Sequence, residues 1–155
     1  MTFSDKIISR MTHRPPDFVI GGSERPYMLR WFVIPRNFMF NVYLHQFKRS
    51  DDDRAHHSHP WLFRISLILR GEYTEHRILA GGILVKTVRR NGSASFSWGA
   101  SFHRVELHAG DCWTLFLTGP KVRSWGFACM ERGFVNWKLF TAPSDSGAVG
   151  KGCDQ

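Results

Sequence analysis

The punctuation of this chain constrains its fold more than any other feature. From Tyr27 onward, short aromatic and β-branched runs alternate with Gly, Pro and Asn-Gly breaks. Residues 27–34, 38–47, 61–70, 73–79, 83–88, 94–98, 104–107, 111–117, 122–129 and 135–140 read as strands. Pro35-Arg36-Asn37, Gly71-Glu72, Gly81-Gly82, Asn91-Gly92, Gly110-Asp111 and Gly119-Pro120 supply turns between them. Short strands at such regular spacing predict an all-β domain, a sandwich or a barrel of the jelly-roll kind. Thirteen Phe and six Trp in 155 residues fit that class, because aromatics favour strands and bury large areas. Only the start differs. Phe3, Ile7, Ile8 and Met11 recur at helical spacing, which predicts a short helix over 3–11, capped by Ser4 and ended by Arg14-Pro15-Pro16. Residues 1–140 read as one domain, and the small, polar residues 141–155 as a disordered tail.

Composition removes several classes of function. No apolar stretch approaches the ~18 residues of a membrane span, and the first ten residues lack the apolar centre of a signal peptide. The expectation is a cytoplasmic protein without membrane contact. The formal net charge of +8 suits anionic partners. Yet Lys and Arg are scattered singly or in pairs, as in Lys48-Arg49 and Arg89-Arg90, which argues against nucleic acid. Cys112, Cys129 and Cys153 are far apart and form no CxxC, so neither a disulfide framework nor a cysteine zinc site is predicted.

The chemistry gathers in Asp51-Asp52-Asp53-Arg54-Ala55-His56-His57-Ser58-His59-Pro60. On extended backbone, residues i and i+2 face the same way, so His57 and His59 can reach one ion. His56 faces the opposite way. Pro60 keeps the chain extended just past the pair. His103, at the start of a later strand, is the candidate third ligand. His13, His45, His76 and His108 read singly as ordinary polar residues, and the acidic run 51–53 as a solvated loop.

The order and spacing of these residues resemble the cupin superfamily. His57 and His59 match the His-x-His of the first cupin motif and Gly71 its closing glycine. Gly92 and His103 match the second motif. The departures are specific. Arg64 stands where the motif has its metal-binding glutamate and Asp51 where it opens on glycine, while Trp98, Ala100 and Leu107 replace a proline, a glycine and an asparagine. The resemblance covers residues 51–107 and extends through the flanking strands to small bacterial and phage cupins. It implies a cupin jelly-roll barrel, pairing into a homodimer through edge strands, and a divalent metal on His57, His59 and His103. A centre without the glutamate is similar to that of thiol dioxygenases, which implies iron first, with Zn, Ni, Mn or Cu also served by imidazoles.

Four further residues are candidates for catalysis. Arg64 lies on the polar face of its strand with Ser66, opposite Phe63, Ile65 and Leu67, and either faces solvent or faces the barrel, where it would pair with a substrate anion. Tyr73, Glu75 and Arg77 share one strand face. Tyr73 is a core aromatic first. Glu75 is a fourth ligand, a general base, or the surface partner of Arg77. Arg77 is the alternative anchor for a substrate anion. Together these readings predict a non-haem Fe(II) oxygenase acting on a small polar or anionic molecule. Two alternatives stand beside it: a barrel that binds a ligand or metal without turnover, and a metal-independent isomerase or epimerase using His and Tyr.

Overall fold

The computed structural model describes residues 2–22, 24–51, 55–144 and 148–154. Its first element is helix α1 (Phe3–Thr12), and the cap is Thr2 rather than Ser4. The Thr2 hydroxyl accepts from Asp5 N (3.1 Å) while the Asp5 carboxylate accepts from Thr2 N (2.9 Å), a reciprocal pair that satisfies two otherwise open donors.

Among the described residues twelve strands follow: β1 (Phe18–Ile20), β2 (Met28–Phe32), β3 (Asn41–Phe47), β4 (His56–His57), β5 (Phe63–Arg70), β6 (Glu72–Ile78), β7 (Leu84–Arg90), β8 (Ala94–Trp98), β9 (Phe102–Leu107), β10 (Cys112–Thr118), β11 (Gly126–Cys129) and β12 (Gly133–Asn136). They form two antiparallel six-stranded sheets, β1-β2-β3-β10-β5-β8 and β12-β11-β4-β9-β6-β7. Met28, Phe47 and Ile68 of the first sheet, with Tyr27 just before β2, meet Tyr73 and Val105 of the second in a shared interior. Helix α1 covers the outside of the first sheet, where Ile8 packs on Trp31, Leu44, Leu69 and Trp113. Trp31 is therefore buried. Phe38, Met39 and Phe40 beside it are exposed and lie before β3 rather than in it.

Strand β5 reverses the usual sorting. Arg64, Ser66 and Ile68 point inward and are buried, while Ile65 faces out beside Phe63 and Phe96. Thr118, Arg64 and Ser97 form one inward row across β10, β5 and β8. The barrel interior is polar at this end, which decides the sequence ambiguity over Arg64 in favour of the inside.

The carboxy-terminal region departs from expectation twice. The strand predicted over 135–140 divides into the end of β12 and a helical turn α2 (Trp137–Phe140), whose Lys138 N–H donates to the Asn136 side chain (3.0 Å). The described residues of 141–155 are not a free tail. Gly150 N and Gly152 N both donate to Phe140 O (2.9 and 3.2 Å), and Cys153 forms a disulfide with Cys129 of β11. The pairing was hidden because 24 residues separate two cysteines that the return of the chain brings to a Cα–Cα distance of 5.6 Å. Among the described residues no helix is long and apolar enough to cross a membrane.

Candidate metal centre

Strand β4 is two residues long and lies between β11 and β9. His57 pairs with Phe127 on one side and with His103 on the other. The ladder thus sets His57 and His103 side by side, with ring centroids 4.8 Å apart. The chain stays extended beyond β4. Ser58 N donates to Gly126 O (2.9 Å) and His59 N to Gly99 O (2.8 Å). His59 therefore returns to the face of His57, 5.0 Å away ring to ring, and His56 turns outward toward His76. Gly99 permits this close approach, since a Cβ there would fall 1.6 Å from the Trp61 carbonyl oxygen and 3.1 Å from that of His59.

One nitrogen from each of His57, His59 and His103 lies within 4.8 Å of the others, so the group could hold a metal ion. His59 Nε2 and His103 Nε2 are 2.9 Å apart. Two ligands at ~2.1 Å from one ion and at right angles would sit about 3 Å apart, so this spacing suits a shared ion. Without one, one ring donates to the other. Burial, reinforced by the positive charge of Arg64, holds the His59 and His103 imidazoles well below their usual pKa. Both are neutral at pH 7, the form that binds metals.

Two carboxylates stand behind these histidines. Glu75 Oε1 lies 3.1 Å from His103 Nδ1, close but not aligned as a hydrogen bond, and Asp51 Oδ2 lies 3.6 Å from His57 Nδ1. Carboxylates in this position orient ligating imidazoles and raise their basicity. Glu75 is 1% exposed and faces two guanidinium groups: Arg89 donates twice to Oε2 (3.1 and 3.2 Å) and Arg64 Nη2 once to Oε1 (3.5 Å). It is not the surface partner of Arg77. Asp51 is likewise fully buried rather than solvated, and it accepts from Val105 N (2.7 Å). The rest of that acidic run, with Arg54, lies outside the described residues.

A cavity of about 740 Å³ opens over His57 and His59. Trp61, stacked on His59 at 5.4 Å, and Trp125, 6.5 Å from His57, stand on its walls. Arg30, Lys121 and Lys138 are the cationic lining residues, and no acidic side chain lines the cavity among the described residues. Arg64, Tyr73, Glu75 and Arg77 do not line it either. They sit in the interior behind His103, where burial raises the Tyr73 phenol to about 12 and Arg77 is His103's neighbour across the β6–β9 ladder. Sequence reading missed Arg30, Arg89 and the buried role of Asp51. Arg30 alternates with the buried Trp31, so its strand looked apolar on the wrong face. Arg89 was read only as half of a basic pair.

Neither a family profile nor a curated protein matches the sequence. Solved structures do. A structure of Fe(II) HppE aligns at a TM-score of 0.56 and 12% identity, over 70% of this chain and 58% of that one. The Bacillus subtilis oxalate decarboxylase, described with Mn(II) centres, aligns at 0.54 and 14%, over 75% of this chain and 30% of that one. An uncharacterized conserved protein with a double-stranded β-helix domain from Klebsiella pneumoniae aligns at 0.52 and 15%, over 81% and 94%. The fold is the cupin fold. This chain spans less than two thirds of the HppE chain and less than one third of the decarboxylase, and at such identities the likeness is one of architecture. Within the cupin fold of this chain, the three histidines stand on β4, just after it, and on β9.

Proposed function

We propose that this cupin is a mononuclear metal enzyme, a non-haem Fe(II) oxygenase that takes a small organic substrate into the cavity above its histidines. The reading is supported above all by three imidazoles, two of them held neutral, that converge where an apolar cavity meets the polar interior. The absence of a glutamate at the Arg64 position leaves an all-imidazole set, and iron held by it would offer redox chemistry with open coordination positions. The protein supplies the rest. Asp51 and Glu75 fix ring orientation, Trp61 and Trp125 exclude water beside the ligands, and His57 and His59 face the cavity. Arg64, Tyr73, Glu75 and Arg77 act in this scheme as positioning residues behind His103, not as groups that touch substrate.

The test is the metal content of protein purified without a tag or added metal, with His57→Ala and His59→Ala beside it. One equivalent of iron in the parent, lost in both variants, followed by oxygen uptake with a substrate panel, is the expected result. Bound metal without oxygen uptake would point to a binding module. A parent that takes up no metal sinks the metalloenzyme reading, and turnover that survives chelation would favour an isomerase.

A further inference from the structure

Arg30 is the one cavity-lining cation drawn into the barrel, on the inward face of β2 opposite His45 of β3. Its Nε donates to His45 Nε2 (2.9 Å), and its guanidinium lies 4.8 Å from the centre of the Tyr43 ring. No carboxylate pairs with it among the described residues, and its two Nη groups have no hydrogen-bond partner there. A guanidinium partly withdrawn from water without a counter-charge is costly. Two other buried charged groups, by contrast, are matched to opposite charges: Arg64 faces Glu75, and Glu75 faces Arg89. The His45 contact explains the orientation of Arg30 but not its charge, because His45 is itself buried and held neutral. Lys121 and Lys138 are exposed on the same cavity wall, and no acid opposes them.

We infer that the cavity takes a small organic monoanion, a carboxylate bound end-on by the Nη groups of Arg30, with its apolar body along the tryptophan-lined wall toward His57 and His59. This rests on the reading of that cavity as the substrate site and narrows its substrate class. One fork-shaped donor matches the two oxygens and single charge of a carboxylate better than a dianionic phosphoryl group. The aromatic walls suit a flat or aliphatic body. His45 acts as the positioning residue. With Nε2 occupied as acceptor, its proton sits on Nδ1, and the ring fixes the rotation of the guanidinium.

The probes are benzoate, phenylacetate and hexanoate, their neutral amides, and phenylphosphonate, read by quenching of tryptophan fluorescence in metal-free protein. Omitting the metal separates this test from the metalloenzyme reading, because no ion is present to capture the carboxylate. At least one carboxylate is expected to bind tenfold or more tighter than its amide. Arg30→Gln should abolish that preference, and Arg30→Lys should keep part of it. The comparison of carboxylate with amide in the parent needs no variant, so a poorly folding substitution does not spoil the test. Equal binding of acid and amide, no binding of any carboxylate, or an undiminished preference in Arg30→Gln overturns the inference. Tighter binding of phenylphosphonate than of every carboxylate overturns the carboxylate assignment.

Discussion

Glu75 Oε1 lies 3.1 Å from His103 Nδ1, while His103 Nε2 lies 2.9 Å from His59 Nε2. One imidazole thus joins a buried ion cluster to the candidate ligands. Glu75→Gln keeps the shape and removes the charge. It is expected to weaken metal binding by about 10- to 100-fold, as measured by competition with a chromogenic chelator. It should also cost about 3–5 kcal/mol in urea unfolding, because Arg64 and Arg89 lose their shared partner. Unchanged metal affinity would remove Glu75 from the support of the site.

Acid should destabilise the fold early. His45, His59 and His103 are each held well below the usual imidazole value, chiefly by burial. Below about pH 6.5 the unfolded chain binds protons at these positions that the folded chain refuses, so stability falls as pH drops. Each histidine contributes a slope of about 1.4 kcal/mol per pH unit between its unfolded and folded pKa values. Urea midpoints of metal-free protein at pH 7.5, 6.5 and 5.5 should fall steeply over the last interval. A flat profile would show that these rings titrate normally.

Gly99→Ala probes a contact of backbone on backbone. The added methyl cannot fit 1.6 Å from the Trp61 carbonyl, so the 59–61 segment must move. Metal binding should drop at least tenfold while the far-UV circular dichroism stays that of a β protein. Full retention of metal affinity would show that His59 does not depend on this approach.

The disulfide closes 24 residues of chain, which corresponds to about 3 kcal/mol of stabilisation through the unfolded state. Cys153→Ser should lower stability by that order and speed proteolysis within the last fifteen residues. The same segment contributes Thr141, Ala142 and Pro143 to the cavity wall, so ligand affinity should fall with it. Equal protease resistance in the variant would show that the backbone bonds to Phe140 suffice.

Strands and turns were legible because most β-runs are bounded by glycine or proline, and because His57 and His59 need only extended backbone to share a face. The third candidate ligand, His103, was legible from its place at the start of a later strand and from its spacing within the cupin pattern. The support behind it was not. Glu75, Arg64 and Arg89 lie on three different strands, and local periodicity cannot say which of two polar faces meets the interior. The same limit concealed Arg30. The last strand was misplaced because Trp137 and Phe140 have strand composition, whereas the cap at Asn136 and the return of the chain to Cys129 turn them into a helix.

Among the described residues strand β7 pairs with β6 alone and forms the outer edge of its sheet. Its Arg89 nevertheless reaches the centre of the buried ion cluster. The imidazole support is therefore clamped by one of the strands freest to fray. A brief opening of β7 withdraws a cation from Glu75 without unfolding the barrel, so occupancy of the site becomes a reporter of a sub-global fluctuation. Amide exchange along β7 and the rate of metal release should then rise and fall together.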